Sequence, residues 1–173
     1  MSHFRYVNQK LFAENLLISN IIKKNQTPFY VYSNQQLKDN YLNFVKVFKH
    51  VKPLVCFATK ANSNLTILRT LGKLGAGADV VSIGELLKAL KAGIKPSKIV
   101  FSGVGKTEEE LKIAIRKNIL LINIESESEA KLINKISKKY NKKVSVGFRL
   151  NPNIDAKTHK KISTGKAENK FGI

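Results

Sequence analysis

Cysteine occurs once in 173 residues, at Cys56 inside an apolar run, so no disulfide framework can exist and thiolates cannot assemble a zinc centre. Histidine is nearly as scarce: His3, His50 and His159 follow no ligand spacing, and neither an HExxH pattern nor a Cys/His cluster occurs, which argues against a metal site. No stretch approaches the roughly 18 consecutive apolar residues of a membrane span, and the opening "MSHFRYVNQKLF" lacks the apolar core of a secretion signal. A reducing, cytoplasmic setting without a membrane partner is the expectation.

Acidic residues are few as well. Twelve Asp+Glu stand against 31 Lys+Arg, a formal net charge of +19, and such a balance raises nucleic acid as a partner. Only four of the cations are arginines (Arg5, Arg69, Arg116, Arg149), whereas nucleic-acid readers favour Arg for bidentate contacts and aromatics for stacking. The lysines are spread along amphipathic segments such as "EAKLINKISKKYNKK", which reads as solvated helix faces in preference to a nucleic-acid patch.

What is present is a rhythm. From residue 28, short β-branched runs alternate with 3.6-period segments: "PFYVY" (28–32), "PLVCFA" (53–58), "ADVVS" (78–82), "KIVFSG" (98–103), "ILLINI" (119–124) and "KVSVGFRL" (143–150). Three helix starts carry capping-box spacing, at Ser82 with Glu85, Thr107 with Glu110 and Ser126 with Glu129. Repeated βα units demand a parallel sheet, because parallel strands need a crossover.

Side-chain parity favours a (β/α)8 barrel over an open doubly wound sheet. In "LVCFATK", Lys60 shares a face with Cys56 and Ala58, while Val55 and Phe57 point the other way. In "SVGFR", Arg149 shares a face with Ser145 and Gly147, while Val146 and Phe148 point away. Small residues thus face inward, larger apolar ones lie under the helices, and cationic heads stand at the carboxyl-terminal mouth, where barrel enzymes do their chemistry. A complete barrel takes about 250 residues, so residues 28–173 are read as an incomplete one. Residues 1–27 are read as an amino-terminal arm, either an edge strand that needs a partner domain or a frayed terminus.

A lysine at a strand end can bind an anion, sit at the surface, or supply an amine for covalent work. Desolvation at a barrel mouth would bring the Lys60 amine down from its usual value of about 10.4 toward neutrality and make a Schiff base with an aldehyde cofactor feasible. Asp79 could hold that cationic group or merely end the preceding glycine turn. Two phosphate-loop lookalikes fail: "FSGVGKT" has Val100 where the Walker pattern wants glycine, and the glycines of "LGAGADVV" precede a strand instead of following one.

"TPFYVYS", "FATKAN", "GAGADVVSIGEL", "KIVFSGVGKT", "INIESESE" and "RLNPNIDAKTHKKISTGKAENKFGI" together resemble the amino-terminal half of diaminopimelate decarboxylases. These are pyridoxal-phosphate enzymes of the alanine racemase fold type. The lysine block alone would also cover relatives acting on ornithine, arginine or carboxynorspermidine, while "NPNIDAKTHKKISTG" points to the diaminopimelate branch. The resemblance implies a (β/α)8 barrel whose carboxyl-terminal β domain is absent here, with the arm 1–27 as a strand of that domain. It implies pyridoxal phosphate joined covalently to Lys60, Asp79 beside that junction, and Arg149 near the cofactor ring. His159 and Ser163 fall in a segment that resembles one bordering the active site.

The implied activity is conversion of meso-diaminopimelate to L-lysine and carbon dioxide, the last step of lysine biosynthesis, by a homodimer. The implied ring-stacking histidine, phosphate loop and acidic pyridine partner would all follow residue 173, so a fragment ending there is expected to be inactive. Two alternatives stand beside this reading: a non-catalytic pyridoxal-phosphate-binding barrel and a basic nucleic-acid-associated module.

Overall fold

The computed structural model describes residues 3–154, 157 and 172–173. It falls into two compact units, Met1–Pro53 and Leu54–Ile173.

The first unit opens with an antiparallel meander, β1 (Phe4–Val7), β2 (Lys10–Ala13) and β3 (Leu16–Leu17), followed by the short α1 (Ile18–Ile22). Val7 pairs with Lys10, so Asn8 and Gln9 form a two-residue hairpin with φ of 47° and 61°. Positive φ at both central residues suits the right-handed strand twist, and Asn tolerates it. The single edge strand expected within residues 1–27 is therefore three short strands. Glu14 joins this meander to α2 (Asn34–Val47): one carboxylate oxygen accepts from Ser33 Oγ and from the Gln35 N–H, each at 2.8 Å, while Ser33 itself caps the helix at Gln36. The strand expected at 28–32 does not form. Phe29 and Val31 are half-buried and Tyr30 and Tyr32 exposed, so the period-two pattern is real, but these residues make no ladder with any described strand.

The second unit is a five-stranded parallel sheet of β4 (Cys56–Ala58), β5 (Gly77–Val80), β6 (Ile99–Phe101), β7 (Leu121–Ile124) and β8 (Val146–Phe148), in sequence order. The crossovers carry α3 (Leu65–Lys73), α4 (Ile83–Lys91), α5 (Glu108–Arg116) and α6 (Glu127–Lys139). This is the α/β plan read from the sequence, with five of the eight expected barrel strands among the described residues. Leu68, Leu86 and Leu111 on the helices close over Val80, Phe101 and Ile122, all with no solvent exposure. Each such burial contributes about 2 kcal/mol.

Each crossover helix begins on a side-chain cap (Asn64, Ser82, Thr107, Ser126) and ends with a left-handed residue one place beyond its last cap: Gly75, Gly93, Asn118 and Asn141. That pairing of polar start and left-handed stop lets a short loop return the chain to the next strand. Only Thr107–Glu110 closes the full reciprocal capping box. Glu85 and Glu129 reach one residue further back, accepting the N–H groups of Val81 and Glu125 at 2.9 Å each, because those amides leave the strand ends next to the cap.

Candidate functional site

The sheet has two faces of opposite chemistry, and parity assigns each residue to one of them. Ala78, Val80, Ile99, Phe101, Ile122 and Ile124 belong to the core under the helices. Their alternates Asp79, Ser102 and Asn123 look out on a cleft of about 670 Å³ at the carboxyl ends of the strands, which Lys60, Phe148 and Arg149 complete. The structure thus gathers Lys60, Asp79 and Arg149 around one space. His159 and Ser163 lie outside the described residues.

Small inner-face residues are required here by close approach. A Cβ on Gly77 would stand 2.8 Å from Cys56 Sγ and 2.2 Å from the Lys98 carbonyl oxygen, and one on Gly147 would stand 2.6 Å from Asn123 Oδ1. Burial pushes the Cys56 thiol up from its ordinary value and the Asp79 charge adds to this, while Lys98 pulls the other way.

Lys60 sits in a single 3₁₀ turn, Thr59–Ala61, directly after β4. Register places Ala58 opposite Asp79, so Lys60 follows at the same end of the sheet. Lys60 is exposed at this end of the five-stranded sheet. Thr59 beside it is fully buried with its Oγ1 unpaired among the described residues.

Asp79 is held from the neighbouring strands. Ser102 Oγ donates to Asp79 Oδ1 at 2.5 Å, and Asn123 Nδ2 donates to Ser102 Oγ at 3.0 Å. Arg149 is braced from beneath: its Nη1 lies 3.1 Å from Oε1 of Glu125, whose side chain is 4% exposed. The other Glu125 oxygen accepts the Gly172 N–H at 3.1 Å. The sequence reading missed Ser102, Asn123 and Glu125, although a polar residue at an inward position of "ILLINI" was a usable signal.

The failed phosphate loop has a structural purpose. Lys106 of "FSGVGKT" is buried and gives its three N–H protons to the Gly103 and Asn123 carbonyls and to Glu129 Oε1, at 2.7, 2.6 and 2.8 Å. It also stands 5.7 Å from the Phe101 ring centre. An amine satisfied in this way is turned inward, away from any phosphate. Among the described residues no group of His, Cys, Asp and Glu could hold a metal, and no helix is long and apolar enough to cross a membrane.

Known proteins resemble this chain in sequence and in fold. Residues 34–173 match the family described as "Pyridoxal-dependent decarboxylase, pyridoxal binding domain". The chain is 55% identical over 148 residues to diaminopimelate decarboxylase of Helicobacter pylori strain J99, covering 86% of this chain and 36% of that protein. It is 46% identical over 174 residues to the enzyme of that name from Vibrio cholerae, covering 100% of this chain and 42% of that one. Among solved structures, diaminopimelate decarboxylase from Helicobacter pylori complexed with L-lysine superposes with a TM-score of 0.86 at 52% identity, over 90% of this chain and 39% of that one. The corresponding enzyme from M. jannaschii, also with L-lysine, gives 0.88 at 42%, over 98% of this chain and 41% of that one. The chain therefore spans about two fifths of the length of the relatives it matches.

Proposed function

Because the chain belongs to the pyridoxal-dependent decarboxylase family, we propose that it is the cofactor-binding portion of a diaminopimelate decarboxylase, which releases carbon dioxide from meso-diaminopimelate and leaves L-lysine. The observation that carries this reading is the cleft itself, where a lysine, an aspartate and a buttressed arginine meet at the carboxyl ends of parallel strands. Relatives named for that activity align with the whole chain.

The residues fit pyridoxal phosphate. Lys60 offers an accessible primary amine, Asp79 an anion for a cationic nitrogen, and Ser102 and Asn123 a polar wall running from Asp79 toward Arg149. When bound, the cofactor supplies an aldehyde for the lysine and a ring that takes up the electron pair left behind as a carboxylate departs. The protein's part is orientation and electrostatics. Lys60 would hold the cofactor by its aldehyde, Asp79 would place a negative charge beside the lysine nitrogen, and Arg149, held by Glu125, presents a cation across the cleft. The homodimer, the cytoplasmic setting and the division into an arm of residues 1–27 and an incomplete barrel of 28–173 belong to the same proposal.

The test uses the full-length protein loaded with pyridoxal phosphate, reduced with borohydride and mapped by peptide mass. The tag is expected on Lys60 and is expected to vanish in Lys60→Ala. Carbon dioxide release should be greatest from meso-diaminopimelate when ornithine and arginine are offered in parallel. A tag elsewhere overturns the site, and preference for another amino acid overturns the substrate. A cofactor tag on Lys60 with no carbon dioxide from any of the three leaves a non-catalytic binding protein.

A further inference from the structure

Asp79, Ser102 and Asn123 come from three successive strands and stand side by side on the cleft face. Their hydrogen bonds have one consistent direction. A serine hydroxyl carries a single proton, and an ionised carboxylate can only accept, so Ser102 must donate to Asp79. The Ser102 oxygen is then free to accept only, which obliges Asn123 to turn its NH2 toward it and its Oδ1 toward Gly147. Gly147 makes that orientation possible, since any Cβ there would stand 2.6 Å from Oδ1. Asn123 is also anchored through its own carbonyl, which accepts from Lys106 Nζ at 2.6 Å. The line ends at the carboxylate: Asp79 Oδ2 takes no hydrogen bond among the described residues, and the cleft it borders holds the Lys60 amine.

Resting on the function proposed above, we propose that Ser102 and Asn123 are positioning residues that aim the free oxygen of Asp79 at the cofactor-bearing nitrogen of Lys60. A three-residue hydrogen-bonded line across the cleft face is otherwise poorly motivated, since aliphatic residues at these three positions would need no mutual satisfaction. Its fixed polarity gives a carboxylate that cannot rotate away from the amine without leaving a half-buried hydroxyl unmatched.

The experiment uses the full-length protein with pyridoxal phosphate at one fixed pH near neutrality. It records the ratio of the two absorbance bands that report whether the lysine–cofactor nitrogen carries a proton, together with the cofactor dissociation constant. Asp79→Asn is expected to move the ratio toward the unprotonated band. Ser102→Ala should move it in the same direction by a smaller amount and weaken cofactor binding about three- to tenfold, with Asn123→Leu following in the same sense. Ser102→Thr, which keeps the hydroxyl, should restore the ratio. Added to Asp79→Asn, Ser102→Ala should produce no further change.

Should Ser102→Ala fail to fold, the Ser102→Thr and Ser102→Val pair, alike in shape and different in the hydroxyl, gives the same comparison. A Lys60 tag with unchanged bands in Ser102→Ala or Ser102→Val overturns the positioning role alone. A further shift in the Asp79→Asn background also overturns it, because the effect would then bypass the carboxylate. Loss of the Lys60 tag from the unsubstituted protein overturns the function and this role together.

Discussion

Gly77 shows how much the cleft depends on what is missing from a side chain. Its backbone has ordinary strand geometry, yet a Cβ would lie 2.2 Å from the Lys98 carbonyl oxygen and 2.8 Å from Cys56 Sγ. The carbonyl belongs to the backbone at the start of β6 and cannot swing aside as a flexible side chain would. Gly77→Ala is therefore expected to push β5 away from its neighbours and to lower stability by about 2–4 kcal/mol, measured as a fall in the urea midpoint. Lys60 itself was legible from parity alone, since an inward strand position ending on an amine is conspicuous in "LVCFATK". Its exposure was not, because burial is a property of the assembled sheet. Ser102 was hidden inside a motif that resembled a phosphate loop, where attention falls on the glycines and the lysine.

The helix starts give two further expectations at the level of elements. Burial pulls the Glu110 carboxyl upward, but the N–H groups of Thr107 and Ile83, the Thr107 hydroxyl and the nearby Lys106 charge pull it down further, leaving it below its usual 4.5. A carboxyl whose folded value is depressed stabilises the protein at pH above the unfolded value, and that contribution is lost as pH falls through the folded one. Glu110→Gln should thus cost about 1 kcal/mol near neutral pH, and its melting temperature should drop less than that of the unsubstituted protein between about pH 5 and about pH 3.

Lys106 joins the loop after β6 to β7 and to α6, and its pair with Glu129 is almost closed to solvent, the two side chains being 2% and 9% exposed. Lys106→Met leaves a buried carboxylate and two carbonyls without their donor. A loss of about 3–5 kcal/mol is expected in denaturant unfolding, with Lys106→Met/Glu129→Gln recovering part of it. The spacing of Ser, Thr and Glu made these helix starts readable in advance. Whether a glutamate returns to the cap residue or to the residue before it was not readable, since that choice depends on which amide the strand end leaves unpaired.

Across the whole molecule, the order of the parallel sheet was the most legible feature, because each of its strands pairs with the next one in the chain and each crossover carries its own start and stop residues. Strand 28–32 was misjudged for the converse reason: its alternation is present, but a strand exists only where a neighbour supplies the ladder. Some of the charge excess also has a local account, as Lys142 caps the end of α5 by donating to Arg116 O and Asn118 Oδ1 at 2.8 and 2.7 Å.

The same topology predicts how stability is distributed. β5, β6 and β7 are hydrogen-bonded on both sides and carry the fully buried Val80, Phe101 and Ile122, whereas β8 is laddered to β7 alone and leaves Phe148 67% exposed. The sequence reading had placed Val146 and Phe148 beneath a helix. Both do lie on the helix side of the sheet, where they share a cavity with Ala130, Ile133 and Ser137 of α6, but that space is left unfilled and Phe148 stays exposed. Backbone amides open with free energies that track such local packing. In hydrogen exchange of the 173-residue chain, amides of β5 to β7 should therefore be the last to exchange and those of Val146–Phe148 among the first of the sheet. Uniform protection from β5 through β8 would show that the edge is covered in solution.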